Sequence, residues 1–133
     1  LIHDAARPLV SVPMIRRVMD EAKKGHGAIA ALPVVDTLKR VDADGRIVET
    51  VSREMLWRAQ TPQGFPRDVI VQAHAEAKRA GWHAEATDDA ALCERLGIAV
   101  HVVRGSERAL KVTEAADFAR AELMAGWNEG DDA

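Results

Sequence analysis

The chain has 133 residues, 47% of them hydrophobic and 29% charged, with a formal net charge of −3. That balance fits one globular domain and excludes disordered, collagenous and coiled-coil classes. It also lacks an apolar run near the roughly 18–20 residues that cross a bilayer, and it carries no basic nucleic-acid footprint.

Residues 1–3 read as the C-terminal end of a buried strand, and the chain opens on Leu1 within that apolar run, so further sequence is expected upstream. The loop Asp4-Ala5-Ala6-Arg7-Pro8 follows, with Pro8 turning Arg7 away from helix. Ser11 is the expected cap of a helix reaching about residue 24, because Ile15, Val18, Met19 and Ala22 share one face, Pro13 suits its first turn, and Gly25 stops it. Residues 28–35 are small and apolar at both parities, the pattern of a strand buried on both faces of a mostly parallel sheet.

From residue 36 to about 56 the texture changes. Runs 37–41 and 46–51 are β-prone and half-polar, and Asp44-Gly45 between them signals a hairpin. A two-stranded ribbon is marginal alone, so this arm is expected to project and pack on a second subunit. Residues 56–60 read as a strand and 61–66, with Pro62, Gly64 and Pro66, as a rigid loop. A helix over 67–80 precedes Gly81. Thr87 is the expected cap of a short helix ended by Gly97, residues 98–103 form a strand, and 109–112 are a short β-prone run. Thr113 caps a last helix to about 125, and residues 127–133 are a polar, acidic tail. Strands alternating with helices argue an α/β doubly wound sheet interrupted by one hairpin.

Ligands of open α/β sheets bind at the carboxyl ends of the strands. The polar residues expected there are Asp4, Arg7, Thr61, Gln63, Thr87 and Lys111, a set of cations, hydroxyls and one carboxylate that suits a phosphate and a divalent metal. Each also has a plain reading: Asp4 bonding its own loop amides, Arg7 pairing with Asp4, Thr87 as a cap, Lys111 as a surface lysine, Arg53 and Arg58 stacking on Trp57. The five histidines, His3, His26, His74, His83 and His101, have no metal-ligand spacing, so no zinc is expected. Lone Cys93 allows no intramolecular disulfide, reads as a core thiol, and favours a cytoplasmic setting.

His3-Asp4-Ala5-Ala6-Arg7-Pro8, Pro33-Val34-Val35-Asp36-Thr37-Leu38-Lys39, residues 53–63 (Arg-Glu-Met-Leu-Trp-Arg-Ala-Gln-Thr-Pro-Gln), Thr87-Asp88-Asp89-Ala90 and Lys111-Val112-Thr113 occur in an order and spacing that resembles the 2-C-methyl-D-erythritol 4-phosphate cytidylyltransferases. The resemblance implies a Rossmann-like nucleotidyltransferase sheet and a homodimer whose β-arm reaches the neighbouring subunit. It implies attack by the substrate phosphate on the α-phosphorus of CTP, with Mg²⁺, and release of pyrophosphate in isoprenoid synthesis. On that pattern Asp4 contacts the polyol or the metal, Ala5 and Arg7 shape its loop, and Thr61, Thr87 and Lys111 hold the methylerythritol phosphate. Thr37 and Arg53 complete the pocket from the partner's arm, and Arg53 and Lys111 orient the attacking phosphate. Such a displacement needs charge neutralisation and alignment more than a protein nucleophile.

The family's Gly-rich triphosphate loop is not among these residues; Gly25-His26-Gly27 reads as a helix stop. Residues 1–133 are therefore expected to be one partial nucleotidyltransferase domain, its CTP-binding segment upstream, inactive when isolated, and compatible with a fusion to the cyclodiphosphate synthase. Two rivals stay open: a ribitol 5-phosphate cytidylyltransferase, and a non-catalytic binding or dimerisation module.

Overall fold

The computed structural model describes residues 1–127. Helix α1 spans Val12–Ala22. Its start is set by Ser11, whose hydroxyl accepts from the Met14 amide at 3.3 Å, and by Pro13 in the first turn. It ends with the last residue of the apolar face, Ala22, two residues before the expected bound of about 24, and is followed by a turn closed by Gly25 at φ +102°. The buried stripe of α1 is Met14 and Val18, and each fully buried side chain of this size contributes on the order of 2 kcal/mol.

Strand β1, Gly27–Pro33, is the middle of a three-stranded sheet ordered β4-β1-β5. It pairs antiparallel with β4, Trp57–Gly64, and parallel with β5, Val100–Arg104. The sheet is therefore mixed rather than mostly parallel. Small side chains let helices approach both faces of β1. Ala28 and Ala30 pack with Met14, Val18 and Ala109 in one core, while Ile29 and Ala31 alternate to the opposite face. On that side α2 (Arg67–Ala80) and α3 (Asp89–Arg95) enclose Ala73, Ala77, Trp82, Leu92 and Cys93. Burial pushes the Cys93 thiol up from its ordinary value, with Asp89 and Glu94 adding to the effect, as a core thiol requires. Arg95 caps the Trp82 ring at 4.3 Å.

Five further expectations change. Residues 1–3 are exposed and join the sheet only by an isolated bridge between Ile2 and Gln63, so they are not a buried strand here. Residues 61–64 are not a loop: β4 runs through them, with a cis Thr61–Pro62 bond. The cap of α3 is Asp88, whose Oδ1 accepts from Ala91, and not Thr87. Helix α4, Ala115–Ala125, is capped by Glu114 in a reciprocal box with Asp117, and not by Thr113, while the run at 109–112 is no strand and follows a 3₁₀ turn at Glu107–Ala109.

The hairpin forms its own two-stranded sheet of β2, Leu38–Val41, and β3, Ile47–Val51, joined through Gly45 at φ +82°. Neither strand pairs with the main sheet. The acidic tail lies outside the described residues except for its first position, Trp127.

Candidate active site

Ile2, β1 and β5 run in one direction, and the loops after them meet beside β4. There the cavity of about 280 Å³ is lined by Asp4, Arg7, Thr61, Gln63, Thr87, Asp88 and Lys111, among others. Of the residues expected at a site, the fold thus gathers Asp4, Arg7, Thr61, Gln63, Thr87 and Lys111 from separate chain segments.

Asp4 is the hub. Its amide donates to Thr61 Oγ1 at 3.0 Å, its Oδ1 accepts from the Ala6 amide at 3.0 Å, and its Oδ2 lies 3.2 Å from Lys111 Nζ. The Ala6 amide, followed by Lys111, holds the Asp4 carboxyl below the usual carboxylate range. His3 completes the ring of contacts, with Nδ1 2.9 Å from Thr61 Oγ1 and Nε2 2.9 Å from the Arg7 carbonyl oxygen.

Arg7 does not pair with Asp4 by a hydrogen bond; its Nη1 donates to the Ala109 carbonyl at 2.6 Å. Its buried Nε has no partner among the described residues. Burial lowers the Arg7 pKa, opposed by the Asp4 charge. That bond ties the loop after residue 3 to the stretch leading to Lys111, as does the Val112 amide donating to Ala6 O at 2.8 Å.

Two lining residues carry a framework to which motif order assigns no role. Buried Gln63 donates through Nε2 to Asp88 Oδ2 at 2.9 Å and accepts at Oε1 from the Ala90 amide at 3.1 Å, so β4 grips the N-terminus of α3. Buried Gln60 donates to Ser106 O at 2.9 Å and accepts from Ser106 N at 3.1 Å. Gly105 is obligatory beside it, since a Cβ there would stand 2.2 Å from Gln60 Oε1 and 3.1 Å from Ala31 O. The sequence marks Gln63 only as a polar residue after a strand, and nothing in it singles out Gln60.

The remaining expected residues lie elsewhere. Ala5 faces a separate apolar cleft with Pro8, Val112 and Phe118. Thr37 is exposed just before β2, and Arg53 is exposed between β3 and β4, where its Nη1 donates to Val35 O. Arg53 and Arg58 do not bracket Trp57; Arg58 pairs with Glu107 at 2.9 Å. The gathered set, two cations and two hydroxyls around one ionised carboxylate, is chemistry that receives an anionic, oxygen-rich ligand.

A model of the 2-C-methyl-D-erythritol 4-phosphate cytidylyltransferase family matches residues 1–126. A relative of that description from Nostoc sp. is 49% identical over 93% of this chain and 54% of its own length, and one from Syntrophus aciditrophicus is 44% identical over 98% and 55%. The chain thus spans about half the length of these curated relatives. The crystal structure of the corresponding enzyme from Thermus thermophilus superposes with a TM-score of 0.85 at 41% identity, covering 94% of this chain and 60% of that one. The bifunctional IspDF from Campylobacter jejuni matches with a TM-score of 0.72 at 28% identity, covering 89% of this chain and 29% of that one. A matched span of residues 1–126 places the chain in the 2-C-methyl-D-erythritol 4-phosphate cytidylyltransferase family.

Proposed function

We propose that the protein bearing this chain transfers a cytidylyl group from CTP to 2-C-methyl-D-erythritol 4-phosphate, releasing pyrophosphate, and that residues 1–133 form the C-terminal part of its nucleotidyltransferase domain. The observation that carries this reading is the Asp4–Lys111 pair, 3.2 Å apart beside Thr61 in a polar cavity, within a chain of that family. A phosphate oxygen attacking phosphorus brings like charges together, so the barrier falls when cations hold both groups in line. Lys111 supplies a compact charge at the cavity, Arg7 buttresses its loop, Thr87 adds a hydroxyl, and Thr61 adds one that can donate to an oxyanion only when His3 does not hold its hydrogen. Asp4, kept ionised by Ala6 and Lys111, is oriented toward polyol hydroxyls.

Mg²⁺ is satisfied by one or two carboxylates when waters and substrate phosphates complete its octahedron. Asp4 fits as that carboxylate, because each of its oxygens is engaged once and keeps a second lone pair. When bound, the ion neutralises phosphate charge.

Thr37 and Arg53 have no place at this cavity within one chain. The reading therefore includes a homodimer in which the β2–β3 arm carries them to the partner's site. Its support is an arm with Val41, Ile47 and Val48 each more than half exposed, at 52%, 58% and 56%. A cytoplasmic setting is supported by the lone buried Cys93, and no helix among the described residues is long and apolar enough to cross a membrane.

The test is pyrophosphate release from CTP by the intact protein with Mg²⁺ and methylerythritol phosphate. Faster release with ribitol 5-phosphate would transfer the assignment to that polyol, and no release with either would overturn it.

A further inference from the structure

A second cluster of chemistry-bearing side chains sits at the opposite end of the sheet. Strand β1 spans seven residues, about 20 Å of extended chain, and the cluster lies where β1 and β5 begin. Parallel pairing sets Ala28 opposite His101 and brings His26, one residue before β1, beside it. Glu21, in the last turn of α1, points between the two rings.

We propose that Glu21, His26 and His101 form a binding site for a divalent transition-metal ion of the zinc class. Glu21 Oε1 lies 3.3 Å from His26 Nε2 and 3.6 Å from His101 Nδ1, and the three ligand atoms are all within 4.8 Å of one another. Ligands about 2.0–2.1 Å from a tetrahedral ion are separated by roughly 3.3–3.4 Å. The 3.3 Å spacing of Glu21 and His26 therefore matches a cage edge before any ion enters, and the 3.6 Å spacing to His101 lies close to one.

The surroundings prepare the donors as well as space them. His26 Nδ1 is 2.9 Å from Gly27 O; a carbonyl oxygen only accepts, so Nδ1 carries a ring proton, and a metal ion that displaces any proton from Nε2 finds that nitrogen facing Glu21. A histidine ligand oriented through its other nitrogen by a backbone carbonyl is the usual supporting contact of a metal site. Lys24 Nζ binds Glu21 Oε2 at 2.7 Å, leaving Oε1 for the histidines, and this bond holds the Glu21 carboxyl below its ordinary pKa. The rings stack at 3.9 Å and 20°, which holds the two donors side by side. His101, with a side-chain exposure of 55% against 19% for His26, is the donor more open to solvent.

Two imidazoles and one carboxylate select zinc, cobalt or nickel over Mg²⁺, which prefers an all-oxygen shell. Three protein ligands leave one position for water. Sequence spacing could not reveal the group, because the two histidines are 75 positions apart and are joined only by strand register.

The test is zinc titration of the intact, metal-stripped protein, read by equilibrium dialysis, by melting temperature and by the visible absorption of Co²⁺ in zinc's place. One high-affinity equivalent per chain is expected, with a melting temperature that rises with Zn²⁺ and not with equal Mg²⁺. His101→Ala, on an exposed strand position, and His26→Gln should each weaken binding by about 100-fold or more. His74, His83 and Asp89 form a separate contact chain, so His74→Ala should leave zinc uptake unchanged. No uptake by the folded protein, or equal uptake by the His101→Ala and His26→Gln variants, overturns the site. The outcome is independent of the cytidylyltransferase reading.

Discussion

The loop cluster around Asp4 and the β2–β3 arm are built on opposite principles. Around Asp4, Gln60 and Gln63 are buried and bonded at both ends of their amides, and the loops they hold come from β4, α3 and the exit of β5. In the arm every ladder bond is internal, and the side-chain ties, Arg40 to Glu49 and Lys39 to Thr50, are exposed. The first region explains its own geometry within one chain. The second has half-polar strands held only to each other and apolar side chains facing water.

The largest effects should come from charges assigned to the two regions. Arg53→Ala and Lys111→Ala should each reduce turnover of the intact enzyme by about 10²–10³-fold, since charge stabilisation at a desolvated phosphate disappears. Mixing the two inactive variants with verified subunit exchange should recover part of the turnover. Failure to recover would place both residues outside a shared site and break the contrast between body and arm.

Stability should divide along the same line. Gly105→Ala drives a methyl against Gln60 Oε1 and Ala31, and should cost about 1–3 kcal/mol in denaturant unfolding. Removing Arg40 or Glu49, an exposed pair at 2.5 Å, should cost less than about 1 kcal/mol in the same assay. Equal costs would mean that the arm is packed as firmly as the body.

Acid gives a third separation. The Asp4 carboxyl has a folded pKa below its ordinary 3.8, so its stabilising effect is complete above that value and is lost as pH falls through the lower folded pKa. Asp4→Asn should flatten this acid limb in a stability–pH profile; an unchanged limb would show that Lys111 and Ala6 do not act through this carboxyl.

The smallest expected change lies in the turn between arm and body. Met55, 86% exposed, has φ 63°, a left-handed conformation that suits glycine. Met55→Gly should raise stability by roughly 0.5–1 kcal/mol, and a loss would mean that the methionine side chain makes contacts in the assembled protein.

The elements readable in the sequence are those with a local cause. Ser11 with Pro13 announces α1, Gly81 ends α2 at φ +82°, and Asp44-Gly45 marks the hairpin. Elements decided by distant partners read differently from how they fold. Two prolines make 61–66 resemble a loop, yet Pro62 needs no amide donor where β4 shifts register against β1 between Ile29 and Ala31. Thr87 and Asp88 are both acceptable caps by residue type, and Gln63 decides between them by holding Asp88 Oδ2 while Oδ1 caps the helix. Asp4, Arg7, Thr61, Thr87 and Lys111 are legible through motif order. Gln63 is legible as a polar residue at a strand end, but its grip on α3 is not, and neither is the role of Gln60, because both depend on opposing loops.

The ring of contacts at Thr61 also fixes which way protons point. The Arg7 carbonyl can only accept, so neutral His3 must carry its hydrogen on Nε2 and leave Nδ1 as an acceptor. Thr61 Oγ1, receiving the Asp4 amide, therefore spends its single hydrogen on His3. In this arrangement the hydroxyl offers an incoming oxyanion no proton. A second proton on His3 would reverse the polarity of that bond, making Nδ1 the giver and releasing the threonine hydrogen toward the cavity. Whether Thr61 repels or welcomes a phosphate oxygen is thus set one side chain away, by the charge on an imidazole that need not touch the ligand.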